Sequence, residues 1–257
     1  MLKPLTVAIY RIAMALSFVC LISSCSIKRV AYFQDIPDTT KGRSVATAEF
    51  IDPVIVPDDV LSISIQTIDP QASAALNQTP ATSGGAQTVS GYLVDKLGNV
   101  EVPMLGILKL AGLTTAQARE KIRQEASKFY RDPTVQVRFA NYRITVLGEV
   151  NRPSTFIVPS EKVSVLDAIA MAGDITIFSK MKNVMLIRDN GDKKDIYRMD
   201  LTSSKLMQSP NFYLKKNDVL YVEANKDKVA AGALSRTRFI TIGLSIVSVA
   251  ISIITRL

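Results

Sequence analysis

An uncharged stretch near the C-terminus constrains this chain more than any other feature. Residues 239–255, FITIGLSIVSVAISIIT, carry no charged side chain and lie between Arg238 and Arg256. A helix of this length is at the lower limit for crossing a hydrocarbon core of about 30 Å, and a short span suits a thin membrane. We therefore predict a single transmembrane helix over residues 239–255.

Hydroxyl side chains follow one face of that predicted helix. At about 100° per residue, five of them fall within an arc of about 80°: Thr241, Ser245, Ser248, Ser252 and Thr255. Such a stripe has two interpretations. It packs against neighbouring helices through small residues, or it lines water when several copies close into a ring.

The N-terminus has the pattern of a bacterial lipoprotein signal peptide. Lys3 and Arg11 precede an apolar run over residues 12–22, and small residues then precede Cys25. This order is typical of a cleaved secretory segment, and the apolar run is too short to span a bilayer. We predict a signal peptide over residues 1–24 and a lipid attached to the thiol of Cys25.

The cysteine and histidine content excludes several kinds of site. Of the two cysteines, Cys20 lies in the segment predicted to be removed, so the mature protein has no thiol pair for a disulfide or a metal cluster. The chain has no histidine, the usual general base and zinc ligand. We therefore expect no enzyme, metal site or cofactor, and we interpret Asp58 and Asp59 as solvated turn residues. A glycan hydrolase working with carboxylates alone is the remaining enzymatic alternative.

The net charge of +8 is distributed unevenly along the chain. From Lys180 onward, basic residues outnumber acidic residues two to one. Anionic lipid headgroups, an anionic polymer in transit, or solubility alone would each account for this excess. Nucleic acid is not an expected partner of an exported, lipidated chain.

The first half of the mature chain predicts a tether and then a strand-rich domain. Residues 25–50 are mixed and polar, which predicts a tether leading from the lipid to the first domain. Residues 51–140 contain several short alternating segments, which predict strands, and one helix over 115–130 opened by a capping box. Residues 69–90 are rich in small and polar side chains and predict a flexible surface excursion.

The second half predicts another domain, over residues 141–225, in which strands again accompany one helix. Ser164 caps that helix and Asp167 stands at its third position. Asn190-Gly191 supplies the positive φ angles of a tight hairpin. A basic linker, residues 226–238, leads to the predicted transmembrane helix. The predicted fold class is therefore α+β with one C-terminal transmembrane helix.

One short turn sequence occurs in both domains. Residues 57–61 read PDDVL and residues 216–220 read KNDVL. Asp58 and Asn217 occupy the position that must tolerate a left-handed backbone. We interpret the repeat as a structural device and not as a site.

The order of motifs resembles the bacterial outer-membrane polysaccharide export proteins. Their export domain has patterns like P-G-D-x-L-x-I, G-x-x-V-D-x-x-G-x-V-x-x-P-x-L-G and D-P-x-V-x-V, which match residues 57–63, 91–106 and 132–137. Residues 146–153 and 166–173 resemble the ligand-binding β-grasp module of the same family. The chain departs from the pattern where Asp58 and Asn217 replace the glycine of each turn, and we expect both turns to survive.

This resemblance implies a fold and a function. It assigns residues 51–140 to a polysaccharide export domain and residues 141–225 to a ligand-binding β-grasp domain. It implies a homo-oligomeric ring at the outer membrane, where one C-terminal helix per subunit forms a pore for capsular polysaccharide or exopolysaccharide, and an inner-membrane polysaccharide co-polymerase as partner. The hydroxyl stripe then lines the lumen. The alternative is a membrane-anchored periplasmic lipoprotein that binds glycan or bridges partners without a pore.

Overall fold

The computed structural model describes residues 31–38, 42, 44–77, 81–82 and 89–228. Within these ranges it has twelve strands, three α-helices and one 3₁₀-helix, which confirms the mixed α+β class. The predicted signal peptide and the predicted transmembrane helix lie outside the described residues. Among the helices that are described, none is long and apolar enough to cross a bilayer.

The first half of the described chain forms small antiparallel sheets with two helices. A three-stranded sheet has the order β4-β1-β7, β2 pairs with β3, and β5 pairs with β6. Alternation along β1 buries Leu61, Ile63 and Ile65, while helix α2 lies against β7 and buries Ala118 and Ile122 in the same core. The elements are β1 (Val60–Gln66), α1 (Pro70–Leu76), β2 (Ala81–Thr82), β3 (Val89–Ser90), β4 (Tyr92–Leu93), β5 (Asn99–Val102), β6 (Gly106–Lys109), α2 (Thr115–Ala126) and β7 (Thr134–Phe139).

Helix α1 lies within the region that we predicted as a flexible excursion, so that prediction is wrong for residues 70–76. Asp69 caps the helix by accepting a hydrogen bond from the Gln71 N–H at 2.9 Å. Asn77, at its end, bonds both the N–H and the C=O of Ile65, at 2.8 and 2.7 Å. Leu76 is its one buried side chain. A single leucine among alanines and serines gives no helical period in the sequence, which is why the helix was missed.

The second half forms one five-stranded sheet with the order β11-β10-β12-β8-β9. Its pairings are antiparallel except for β12 and β8, which run parallel at the centre. Helix α3 contacts β8 and buries Val165, Ala168 and Ile169. The elements are β8 (Arg143–Gly148), β9 (Ser154–Ile157), α3 (Val165–Met171), β10 (Ser179–Asn190), β11 (Lys193–Met199), the 3₁₀-helix Ser204–Gln208 and β12 (Val219–Ala224).

The predicted helix starts and the predicted hairpin are confirmed. Both capping boxes form, with Thr114 before α2 and Ser164 before α3. Gly191 has a φ of 65° in the turn between β10 and β11. Asn190, which we also expected to have a positive φ, does not; it is the last residue of β10 and pairs with Lys193. Helix α2, predicted to continue to residue 130, ends at Ala126.

The segment that precedes the first domain follows the surface of the second half of the chain. The N–H of Phe33 donates to the Leu201 C=O at 3.2 Å, and Asp35 accepts from the Ser204 N–H at 2.8 Å. Further along, the Ala48 N–H donates to the Met207 C=O at 2.7 Å. The predicted tether therefore contacts the second domain before the chain enters the first.

Candidate functional site

The two related turns lie side by side where the two halves of the chain meet. Asp58 and Asn217 have φ angles of 68° and 65°, so the predicted left-handed conformations are confirmed. In each turn the following aspartate accepts a hydrogen bond from the backbone three residues earlier. The Val56 N–H donates to Asp59 at 2.9 Å, and the Lys215 N–H donates to Asp218 at 2.7 Å.

Asp218 forms a buried, two-pronged ion pair. It is 1% exposed, and Arg188 donates to both of its oxygens, from Nε at 3.0 Å and from Nη2 at 2.7 Å. The same guanidinium donates to Asn211 Oδ1 at 3.0 Å and to the Tyr213 C=O at 3.3 Å. A buried charge with this many partners is stabilising only while the whole set is present.

Asp59 is the corresponding residue of the first turn, and our interpretation of it as solvated is wrong. Its carboxylate is 1% exposed and forms an ion pair with the ammonium of Lys216, which belongs to the second turn. The same ammonium lies 5.7 Å from the ring centroid of Phe139. The two copies of the repeated turn are thus joined directly, because Lys216 of the second turn supplies the cation for the Asp59 carboxylate of the first. Asp58 remains exposed, as predicted.

Asn141, between the two halves, and Arg143, at the start of β8, bond to the two turns. Asn141 accepts from the Val60 N–H at 3.1 Å and donates to the Asp58 C=O at 3.3 Å. Arg143 donates from Nε to Asn217 Oδ1 at 3.2 Å, and its backbone C=O accepts from the Asn217 N–H at 2.8 Å. The junction between the two halves is therefore held by directional bonds as well as by apolar contact.

Replacing Lys216 with methionine should destabilise this junction. The substitution keeps the apolar stem but leaves the buried Asp59 carboxylate without its cation. We expect the free energy of unfolding to fall by about 2 kcal/mol, below the full cost of breaking a buried pair because the Lys216 side chain is 20% exposed. Urea unfolding followed by circular dichroism measures the loss. Lys215→Met, at an exposed neighbouring lysine, is the matched control; equal losses in the two variants would contradict the role of the pair.

A cleft of about 680 Å³ opens beside the junction. Its walls come from the start of α2, from β7, from the loop after β9 and from the segment before β1. The residues facing it are Phe50, Thr115, Ala116, Arg119, Gln136, Val137, Arg138, Phe139, Tyr142, Val158, Pro159, Ser160, Glu161 and Lys162.

The lining of the cleft is basic and partly aromatic. Arg119, Arg138 and Lys162 contribute three positive charges, and Glu161 is the only acidic residue of this lining. The Lys162 ammonium lies 5.6 Å from the ring centroid of Phe50 and 4.9 Å from that of Tyr213. At these distances both rings attract the cation.

Tyr142 lies at the base of the cleft. It is 2% exposed, and its hydroxyl donates to the Leu214 C=O at 2.9 Å. Burial raises its pKa to about 12, so this hydroxyl stays protonated at neutral pH. The lone Glu161 does not provide the pair of carboxylates that glycoside hydrolysis uses. The positive charge of the lining is suited to holding an anion.

The site residues predicted from the sequence lie outside the described residues. These are the lipid-attachment residue Cys25 and the five hydroxyl residues Thr241, Ser245, Ser248, Ser252 and Thr255, and they stay predictions. The cleft was missed because its cations come from residues 119, 138 and 162, and no local pattern relates them.

Comparison with known protein families assigns both halves of the chain. Residues 51–140 match the family described as polysaccharide biosynthesis/export protein, and residues 142–222 match the SLBB domain. The chain belongs to the polysaccharide export family. This confirms the resemblance seen in its motifs. The family match ends at residue 140, beside the connecting Asn141 that bonds to the first turn.

Curated relatives of this export family carry corresponding names. The chain is 29% identical over 179 residues to the EPS I polysaccharide export outer membrane protein EpsA of Ralstonia nicotianae, covering 66% of the chain and 46% of the relative. It is 28% identical to the capsule polysaccharide export outer membrane protein CtrA of Neisseria meningitidis, covering 70% and 47%. It is 26% identical to the capsule polysaccharide export protein BexD of Haemophilus influenzae, covering 63% and 41%. The chain thus spans less than half the length of these relatives.

Proposed function

We propose that the protein is an outer-membrane polysaccharide export lipoprotein whose copies form a ring that passes capsular polysaccharide or exopolysaccharide from the periplasm to the cell surface. The observation that carries the proposal is the match of residues 51–140 to the polysaccharide biosynthesis/export family, followed by the SLBB domain over residues 142–222. The names of the relatives support the location and the transported polymer. Transport through a conduit needs no catalysis by this chain.

The two ends of the described chain support an orientation for such a ring. Near the N-terminal end, the Tyr32 hydroxyl donates to Asp174. Near the C-terminal end, the Lys228 ammonium bonds Glu149 at 2.5 Å, and Thr176 donates to the same carboxylate at 2.7 Å. Both ends therefore contact the same part of the second domain, around Glu149 and residues 174–176.

In this proposal, the segments that lead to the two membrane attachments both start next to this part of the second domain. Tyr32 follows Cys25 by seven residues, a length of chain that reaches at most about 25 Å. Lys228 precedes the proposed transmembrane helix, residues 239–255, by a short basic linker. In this arrangement the second domain faces the outer membrane and the first domain extends into the periplasm.

The order of strands in the second half supports our assignment of residues 141–225 to a β-grasp domain. A hairpin of β8 and β9 comes first, helix α3 follows, and the last strand, β12, returns to lie parallel to β8. The sheet therefore has two parallel central strands, β8 and β12, with β9 next to β8 on one side and the β10–β11 hairpin next to β12 on the other. The proposed export domain, residues 51–140, precedes it.

The proposed pore follows from the hydroxyl stripe. A helix satisfies its own backbone hydrogen bonds in lipid, and a closed ring of helices can turn one face of each copy inward. Thr241, Ser245, Ser248, Ser252 and Thr255 would then line the lumen while isoleucine and valine contact lipid. Hydroxyls exchange hydrogen bonds with water or with sugar hydroxyls, and they bind the polymer less tightly than a charged group would. The proposed inner-membrane co-polymerase would deliver the polymer from beneath the ring.

Leucine substitutions test the lumen directly. We expect Ser248→Leu together with Ser252→Leu to reduce surface polysaccharide at least about tenfold, because two leucines per subunit would narrow and dry the lumen. Val247→Leu with Ala250→Leu adds leucines to the opposite face and should leave export intact. Surface polymer is measured by antibody or dye binding, and protein in the outer-membrane fraction by blotting.

The result of the leucine test separates the two functional hypotheses. Normal export in the variant that combines Ser248→Leu with Ser252→Leu, at a normal protein level, would contradict a hydroxyl-lined pore and favour the anchored adaptor. The molar mass of the lipidated protein in mild detergent, corrected for bound detergent, tests the ring itself. A uniform high-mass species that is lost when the chain ends at Arg238 supports assembly through the helix.

A further inference from the structure

The three cations that line the cleft beside the junction come from three separate elements of the fold. Arg119 lies on the second turn of α2, Arg138 on β7 and Lys162 on the loop after β9. They face one space of about 680 Å³ together with one acidic residue, Glu161. A concave surface with this excess of positive charge concentrates anions.

None of these three cations forms a direct ion pair within the described residues. No ion pair within 4.0 Å joins Arg119, Arg138 or Lys162 to a carboxylate in the part of the chain that the structure describes. On α2 itself, Glu120 pairs with Arg123 at 2.7 Å and not with its neighbour Arg119. The cleft therefore keeps a positive field that a bound anion can satisfy.

Lys162 is held in place without being neutralised. Its ammonium lies against the rings of Phe50 and Tyr213, which contact each other edge to face with centroids 5.3 Å apart. Aromatic rings attract the cation but accept little of its hydrogen-bonding capacity. The ammonium is thus positioned in advance, which lowers the entropy cost of binding an anion.

The place of the cleft in the fold separates it from the proposed membrane attachments. Tyr142, at the base of the cleft, immediately precedes β8, whereas Glu149, which bonds Lys228, immediately follows it. The six residues of β8 extend about 20 Å. The anion that reaches this cleft would be carried by a soluble polymer and not by a lipid headgroup.

We propose that this cleft is a weak binding site for the carboxylates of an acidic polysaccharide, and that the exported polymer is therefore anionic. The inference rests on the proposed export function and adds the chemical class of its cargo. Arg119 and Arg138 are exposed, so binding should be weak and sensitive to salt. A conduit needs such binding, because a polymer that is held tightly does not move on.

A pair of matched oligosaccharides tests the charge requirement. The full chain in detergent is titrated with fluorescently labelled tetragalacturonate and, separately, with its fully methyl-esterified form, which has the same backbone without the carboxylates. We expect the acid to bind at least about tenfold more tightly than the ester at low salt, and the difference to disappear at high salt. Equal binding of acid and ester would overturn the proposal.

Matched variants test the location. Arg119→Gln with Arg138→Gln should weaken binding of tetragalacturonate about tenfold. Lys96→Gln with Lys193→Gln removes the same charge from residues outside the cleft lining and should leave binding unchanged. Arg119→Lys with Arg138→Lys keeps the charge and should restore most of the binding. An equal loss in the Lys96/Lys193 variant would overturn the assignment, because it would show attraction to net charge alone.

Two further outcomes separate this inference from the proposed function. Binding of the protein to anionic phosphatidylglycerol vesicles that is lost in the Arg119/Arg138 variant, without binding of tetragalacturonate, would overturn the polymer as the ligand. Normal surface export in cells combined with no tetragalacturonate binding would overturn the anion-binding site but would not contradict the proposed conduit. Each variant is first checked by circular dichroism for an unchanged unfolding midpoint.

Discussion

Replacing Gly148 with alanine should lower the free energy of unfolding by more than about 3 kcal/mol. Gly148 ends β8 with a φ of 90°, a backbone conformation that residues with a Cβ atom rarely adopt. An added Cβ would lie 2.0 Å from the carbonyl oxygen of Val222 and 3.1 Å from the Tyr221 ring. That carbonyl also accepts the Glu149 N–H at 2.8 Å, so relief of the clash must disturb the parallel pairing at the centre of the sheet.

The effect is measured by urea unfolding with circular dichroism, and Gly191→Ala is the matched control. Gly191 also has a positive φ, 65°, but nothing lies within 4 Å of a Cβ built there. It should therefore show only the cost of the backbone conformation, about 1 kcal/mol. Similar losses in the two variants would mean that the contact with Val222 is relieved by a small shift, contrary to our expectation.

Replacing Asp218 with alanine should lower the free energy of unfolding by about 3–5 kcal/mol. The change leaves the guanidinium of Arg188, whose side chain is 10% exposed, without its carboxylate. It also removes the acceptor of the Lys215 N–H, so the second turn loses its internal bond. We expect the midpoint of thermal unfolding to fall by about 10 °C for a chain of this size.

The double variant Arg188→Met with Asp218→Ala provides the control for this buried pair. Removing both charges avoids the isolated buried cation, so the double variant should be more stable than Asp218→Ala alone. Circular dichroism melts of the three proteins at one pH measure the difference. A double variant less stable than the single one would show that Arg188 contributes mainly through Asn211 and the Tyr213 carbonyl.

The features that the sequence predicted correctly are local ones. The capping boxes at Thr114 and Ser164 depend on side chains three residues apart, and each forms as expected. The left-handed residues Asp58 and Asn217 were also recognisable, because few residue types other than glycine tolerate that conformation. In such cases the physical cause lies within one turn of chain.

The features that were missed depend on distant partners. Asp59 looked like a solvated turn residue because Lys216, which neutralises it, lies 157 positions further along the chain. The cleft likewise combines α2, β7 and the loop after β9. Helix α1 was missed for a different reason, since one buried leucine decides its position. Burial and charge pairing at such sites become visible only once the topology is known.

The path of the N-terminal segment has a mechanical consequence. The chain is bonded to the second domain at Ala48, enters the first domain at Ile55, where its N–H donates to the Leu113 C=O, and returns at Asn141. Two covalent crossings therefore join the domains, and the Asp59–Lys216 pair adds a third connection. Two domains that are connected at several points resist rotation about any one connecting segment. Force applied at the N-terminal end of the described chain would thus turn both domains together and would not rotate one against the other.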